Sequence, residues 1–181
     1  MLKYFGPLSI DWTHGIEKIT QHSGILIALR NIQEQDTEAV KSIMRQYELQ
    51  FPEIVINYYP DRWANYFNGS SRSEYWVAVC GEEVVGHAGF LFNNDLNLYE
   101  IVGVVVSPKY KRQGIGRKLL DKVCERIRQR GSKKVVLFTL GHPGNEDTLR
   151  FYKSTGYVEE KYELDYFRPG YSRVTFTKEL V

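Results

Sequence analysis

Residues 104–120 read VVVSPKYKRQGIGRKLL. A β-branched run, Val104-Val105-Val106, passes through Ser107-Pro108 into a basic loop, and Gly114-Ile115-Gly116 then opens a stretch of helical apolar periodicity. That order predicts a strand, a loop and a helix N-terminus. The first N–H groups of a helix lack intrahelical partners and sit at its positive dipole end, so the junction is an anion site. Gly114 and Gly116 allow backbone and ligand to approach closely. Lys109, Lys111, Arg112 and Arg117 surround the junction with positive charge.

Two nucleotide motifs are excluded letter by letter. A Walker loop needs four residues between its glycines followed by Lys-Ser/Thr, and neither is present. A dinucleotide fingerprint needs a third glycine at position 119, which is Leu119. A lone Gly-x-Gly is weak evidence; strand, Ser-Pro, basic loop, Gly-x-Gly and periodic helix in this order are much stronger.

Outward from this stretch, the helix is predicted from about Gly114 to Arg130, with Ile115, Leu119, Leu120, Val123, Cys124 and Ile127 as its buried stripe and Gly131 as its C-cap. Upstream, Leu98 to Val106 is the strand feeding the junction. Before it come strands Tyr75 to Cys80 and Val84 to Phe92, joined by Gly81-Glu82-Glu83, so three antiparallel strands are expected. Gly24 to Arg30 is an earlier strand. Asp36 is read as the N-cap of a helix reaching about Gln50, and Pro60-Asp61 as the start of a second helix with Trp63, Tyr66 and Phe67. Downstream, Lys133 to Leu140 is a nearly continuous apolar run, as for a buried central strand. Asn145 is expected to cap a short helix through Ser154, and strands Tyr157 to Phe167 and Ser172 to Lys178 close the chain. The order is mixed α/β (α+β) around one sheet, with one crossover helix joining two central strands. Residues 24–181 are read as a single domain. Residues 1–23, with Tyr4, Phe5, Leu8, Ile10 and Trp12, show no period and form an N-terminal arm without an assigned element.

Composition sets the bounds. The 181 residues suffice for one domain to bury roughly 70% of its unfolded surface without staples. Cys80 and Cys124 both fall in core elements and read as reduced packing residues. Residues 1–23 are too polar for a secretory core and no run of about 18 apolar residues exists, so a cytoplasmic location off the membrane is the expectation. No His/Cys/Asp spacing points to a metal. The chain carries +2, yet residues 107–134 hold eleven lysines and arginines against two acids, a local +9, leaving −7 elsewhere. Such a block implies a local polyanion site, although a solvated helix face accounts for much of Lys118 to Arg130.

Two signatures make the chain resemble the GNAT superfamily of acetyl-CoA-dependent N-acyltransferases over about Ile25 to Leu180. The family's acyl-CoA signature, Gln/Arg-x-x-Gly-x-Gly/Ala, reads Lys111-Arg112-Gln113-Gly114-Ile115-Gly116, with Lys111 departing from the usual Gln or Arg. The second, Asn followed by an aromatic-Tyr pair and a Gly-aromatic, reads Asn145, Phe151-Tyr152 and Gly156-Tyr157. The resemblance implies a mostly antiparallel sheet with helices on both faces, splayed between the Leu98–Val106 and Lys133–Leu140 strands. It also implies acetyl-CoA as co-substrate, with pantetheine bonding the backbone of Val104 and Val106 and Val105 between them in the cofactor site. Lys111 to Arg117 would hold the pyrophosphate, and Asn145 and Tyr152 would complete the cofactor site.

Amine attack on a thioester needs a neutral amine. A lysine-type amine is under roughly 0.1% neutral at pH 7 and an α-amine roughly 10%, so a base is useful. Glu100, on the strand entering the motif, resembles the family's catalytic glutamate. Tyr152 resembles its general acid for the departing thiolate, and an N–H near Val104 would polarise the carbonyl. His142, beside the expected cleft, is a second candidate base; His87, mid-strand, reads as a bonded structural group. His14 and His22 fall in the arm, and Gly103 within a strand marks a bulge or a close approach. The acceptor pocket is expected from Tyr58 to Phe67 and from Tyr162 to Tyr171, where Asp61 and Asp165 suit an amine, although most of these aromatics also fit core packing. A non-catalytic acyl-CoA sensor of the same fold is the first rival. A nucleic-acid binder is the second, disfavoured because the basic block interleaves only Tyr110 among its charges. A homodimer through the final strands or the arm is the expected assembly.

Overall fold

The computed structural model describes residues 17–20 and 26–181. The expectations for Tyr4, Phe5, Leu8, Ile10, Trp12, His14, His22 and Gly24-Ile25 lie outside the described residues. Glu17–Thr20 (β1), inside the stretch left without an element, pairs antiparallel with Leu26–Asn31 (β2). The chain then runs through helices Thr37–Arg45 (α1), Glu53–Ile56 (α2) and Tyr59–Phe67 (α3). A meander follows: Ser73–Cys80 (β3), Glu83–Asn93 (β4) and Leu98–Val106 (β5). Ile115–Gln129 (α4) crosses to Lys134–Gly141 (β6), Glu146–Ser154 (α5) follows, and Val158–Arg168 (β7) and Tyr171–Glu179 (β8) close the fold.

The sheet order is β1-β2-β3-β4-β5-β6-β8-β7, and β5 with β6 is the parallel pair. The last strand therefore inserts between β6 and β7, leaving β7 at the edge. Helices cover both faces, as the resemblance implied. α4 and α5 bury Ile115, Leu119, Leu120, Val123, Ile127 and Tyr152 against Phe90, Ile101, Val135 and Phe176. α1 to α3 bury Val40, Met44, Ile56, Tyr59 and Trp63 against Tyr75, Val77, Val102 and Val105. Each buried Leu, Ile or Phe contributes roughly 1.5–3 kcal/mol, so two such layers account for the sheet's being covered on both sides.

Three local expectations are corrected. α1 ends at Arg45 rather than near Gln50, and the separate helix α2 follows Pro52. Asp36 precedes α1 but does not cap it with its side chain; its carboxylate instead accepts from the Arg30 guanidinium at 2.6 and 2.9 Å and from the Gln33 N–H at 2.8 Å. Asn145 likewise precedes α5 without capping it, because its side chain is bonded elsewhere. The α4 stripe is buried as expected, and both cysteines are free. The basic face of α4 is less solvated than expected. Lys122 is buried, and Arg126 and Arg130 each meet the buried Glu74 carboxylate on β3 at 2.8 Å. Part of the +9 block thus clamps α4 to the sheet.

Candidate active site

β5 and β6 pair only at Tyr99↔Val135, Glu100↔Val136 and Ile101↔Leu137. Beyond that point β5 stays on β4 as far as Val106↔Gly86, while β6 stays on β8 as far as Gly141↔Ser172. The strands therefore part into a V. On the β4 side, the Ser107 N–H donates to the Val85 carbonyl at 2.8 Å. Alternation along a strand then turns the N–H and C=O groups of Val104 and Val106 toward the V, while Val105 faces β4 opposite His87. Tyr47 donates its hydroxyl to the Val106 carbonyl at 2.6 Å, and the Lys111 ammonium sits 4.6 Å from the Tyr47 ring centre. Tyr47 lies just past the end of α1, and its reach across 59 residues to β5 has no local signal.

The loop after β5 is shaped by its backbone. Pro108–Tyr110 forms a 3-10 turn, Arg112 is left-handed (φ 61°) and Gly114, at the N-cap of α4, is left-handed too (φ 75°). These turns expose the first N–H groups of α4 as a concave donor set next to the V. Gly114 earns its place by conformation, since a Cβ there would touch nothing. Gly116 has another reason: its Cβ would lie 3.2 Å from Phe151 Cζ, so its absence lets α5 close on the first turn of α4. Arg117 donates to the Ser154 carbonyl at 3.1 Å, tying the same two helices. Gln113 and Ile115 lie between these positions, with Ile115 turned into the core.

Asn145 is buried at the end of β6. Its Nδ2 donates to the Leu140 carbonyl at 2.7 Å and its Oδ1 accepts from Gln50 at 2.8 Å, so it joins the α1–α2 connection to the far wall of the V. Tyr152 on α5 is buried among Phe151, Tyr157 and Phe176. Its hydroxyl makes no hydrogen bond among the described residues. Burial raises its pKa far above neutrality, and the nearby Tyr59 phenol raises it further, so the group is a protonated donor at pH 7.

Glu100 approaches from the opposite face. Tyr99 and Ile101 pack with Tyr152 on the α4–α5 side, whereas Val102 packs with Tyr59 and Trp63 on the α1–α3 side. Alternation places Glu100 with Val102. Its carboxylate accepts from Asn93 Nδ2 at 2.9 Å. Tyr59 and Tyr75 also lie within its field. Burial pushes the Tyr75 phenol up to about 12; Arg62 opposes this and Glu100 adds to it. The Tyr59 pKa is raised by burial first, with Arg62 opposing and Tyr75 and Glu100 adding. The sequence assigned Tyr59 only to an aromatic segment; its packing against Trp63 and the His87 ring is a tertiary fact.

The other candidates divide. His142 accepts the Gly144 N–H at 2.9 Å through Nδ1, and its ring lies 4.8 Å from that of Tyr171. His87 is fully buried and bonded on both nitrogens, as its mid-strand position implied. Gly103 (φ 65°) lies at a β-bulge opposite the His87–Gly89 register shift. Among the expected acceptor aromatics, Tyr59 and Trp63 are core, while Tyr58, Tyr162, Tyr166 and Phe167 are exposed. The exposed set divides between α3's N-terminus and the β7–β8 hairpin. Asp165 shapes that hairpin by accepting the Gly170 N–H at 2.7 Å. Among the described residues no group of histidine, cysteine and acidic side chains could hold a metal, and no helix is long and apolar enough to cross a membrane.

A sheet parted beside a basic, glycine-hinged helix N-terminus is the architecture of an N-acyltransferase. The chain belongs to the acetyltransferase (GNAT) family, a family of acyltransferases: the family's model matches residues 40–157. The chain is 24% identical over 151 residues to human N-alpha-acetyltransferase 30, an alignment covering 78% of this chain and 41% of that protein. Solved structures share the fold. A protein from Desulfovibrio desulfuricans, described as an acetyltransferase of the GNAT family, superposes with a TM-score of 0.78 at 21% identity, covering 86% of this chain and 99% of its own. A Salmonella typhimurium protein solved with its cofactor acetyl-CoA gives 0.68 at 20% identity, covering 86% and 94%.

Proposed function

We propose that this chain transfers an acetyl group from acetyl-CoA to a primary amine by direct attack within a ternary complex. The observation that carries the reading is the V between β5 and β6, flanked by the backbone edge of Val104 and Val106 and by the α4 N-terminus. Pantetheine would bond that edge. The pyrophosphate would take the N–H groups of the Lys111–Arg117 loop, with Lys111 and Arg112 supplying charge. Solved neighbours of the same fold carry coenzyme A or acetyl-CoA, which supports this assignment.

In the reaction the amine nitrogen bonds to the thioester carbon and the C–S bond breaks. The Val104 N–H would stabilise the carbonyl oxygen as charge develops there. Glu100 takes the proton that the ammonium loses before attack, directly or through water; the Tyr152 hydroxyl gives one to the departing sulfur, and the second proton, lost from nitrogen as the C–S bond breaks, restores the phenol by way of solvent. Their entry from opposite faces supports that division, since the amine arrives and the thiol leaves on different sides of the carbonyl carbon. No cysteine of the described residues is needed as a nucleophile: Cys124 is buried in the core, where burial raises its pKa.

The test is release of free thiol from acetyl-CoA over a panel of amines, with product masses read in parallel. A peptide α-amine comes first, because the human relative is named an N-alpha-acetyltransferase; polyamines, aminoglycosides and lysine peptides follow. Turnover on one class with a mass gain of one acetyl group is expected. Tight coenzyme A binding without turnover on any amine would leave the sensor reading instead. The edge strand β7, with Val158, Tyr162 and Leu164 exposed, is the surface we assign to homodimerisation.

A further inference from the structure

β5 does not run straight through the V. His87 pairs with Val105 and Gly89 with Val102, so Gly103 and Val104 together face the single residue Ala88. This bulge has a dedicated support. His87 Nδ1 lies 2.7 Å from the Gly103 carbonyl oxygen, and Trp63 Nε1 lies 3.3 Å from His87 Nε2. The partners dictate the tautomer: a carbonyl only accepts and an indole only donates, so Nδ1 carries the proton and Nε2 accepts. Tyr75 stacks on the imidazole at 5.9 Å and Tyr59 meets its edge at 6.1 Å, leaving the ring one orientation. The fit allows only glycine at the bulge, since a Cβ on Gly103 would lie 2.8 Å from His87 Cε1 and 2.9 Å from Tyr59 Cε1.

The Gly103 carbonyl and the Val104 N–H belong to one planar peptide unit and point to opposite edges of it. Holding the first therefore aims the second. We propose that His87 is a positioning residue: braced by Trp63 on α3, it holds the Gly103 carbonyl on the β4 side and so directs the Val104 N–H into the V, at the thioester carbonyl oxygen. Burial keeps the ring neutral, with its pKa down near 4, so the arrangement persists through the physiological range. The brace also ties α3, whose N-cap is the exposed Tyr58, to β5 through His87.

The inference rests on the acetyl-transfer reading, and its test separates the two. Affinities for acetyl-CoA and for coenzyme A are measured without amine by calorimetry, alongside kcat on the amine the wild type uses. Wild type is expected to prefer acetyl-CoA, because only the thioester offers a carbonyl to the Val104 N–H. His87→Phe removes both hydrogen bonds at similar volume. It should bind coenzyme A within about 3-fold of wild type, lose the preference for acetyl-CoA, and lower kcat about 10-fold to 100-fold. Trp63→Phe removes only the brace and should give a smaller loss of the same kind; it decides the matter if His87→Phe does not fold. An unchanged preference and kcat in a folded variant would overturn the proposal. So would an equal loss of both affinities, which would make His87 a support of the whole sheet, or a wild type that binds both ligands alike. A wild type that binds neither ligand defeats the acetyl-transfer reading itself.

Discussion

The two sides of the V are built from different materials. On the cofactor side, Val104 to Leu120 supplies strand, loop and helix start within seventeen consecutive residues, and its donors are backbone N–H groups. On the side we propose for the acceptor, Glu100 and Asn93 come from two strands, Tyr59 and Arg62 from α3, and Tyr162 and Tyr166 from a hairpin about a hundred residues further on. A site made of main chain needs only the right turns at Arg112 and Gly114 and tolerates many side chains. A site made of side chains from four elements changes with any one of them.

Single substitutions test that contrast. The largest effect is expected where the two sides meet. Tyr152→Phe should lower kcat about 100-fold to 1,000-fold while coenzyme A affinity stays within about 3-fold. Equal losses in both would place Tyr152 with the cofactor walls rather than with the chemistry.

A pH series tests the core link between the sides. His87 is held neutral in the fold with a pKa near 4, against about 6.5 in an unfolded chain. The unfolded state therefore gains a proton first. Stability is full above pH 6.5 and falls as the pH drops toward 4, by roughly 2 kcal/mol at pH 5. The carboxyls of Glu74 and Asp36 are held below their usual range by Arg126 and Arg130 and by Arg30, against the opposing effect of burial, so their contribution is lost only at lower pH. Urea midpoints at pH 7 and pH 5 read the difference, and equal midpoints in wild type would mean that His87 takes up its proton in the fold.

Glu100→Gln should cost about 10-fold in kcat/KM below pH 8 and approach wild type as the pH nears the amine's own pKa, where no base is needed. Parallel pH profiles for the two proteins would remove Glu100 from the acceptor side and move attention to water relays or His142. The smallest effect is expected at the departing letter of the acyl-CoA signature. The Lys111 ammonium rests against the Tyr47 ring, and the neighbouring donors are main chain. Lys111→Gln should change coenzyme A affinity less than about 3-fold at moderate ionic strength, and a 30-fold loss would show that charge, not backbone, dominates the loop.

Legibility followed the same divide. Leu98–Val106 is the strand read from the β-branched run, and α4 occupies the span of its apolar stripe, because short-range propensity and tertiary demand agree there. Asp36 and Asn145 look like caps by residue type, yet long-range partners recruit their side chains: Arg30 for one, Gln50 and Leu140 for the other. The basic block looks like one surface, but Arg126 and Arg130 turn to the buried Glu74. In each case a polar side chain has several satisfactory partners, and only packing chooses among them.

By itself the sequence determined the mixed α/β class, the strand-loop-helix junction, the basic character of its loop and the two signatures that place the chain in its family. These rest on period, turn residues and main-chain donors, which act within a few residues. The tertiary structure alone decided that β8 inserts beside β6, that β5 and β6 part after Ile101↔Leu137, that Glu100 and Tyr152 arrive from opposite faces, and that His87 and Trp63 support the Gly103 bulge. These depend on contacts between residues far apart in the chain. Their energies come from burial and from hydrogen bonds that form only once the layers have closed.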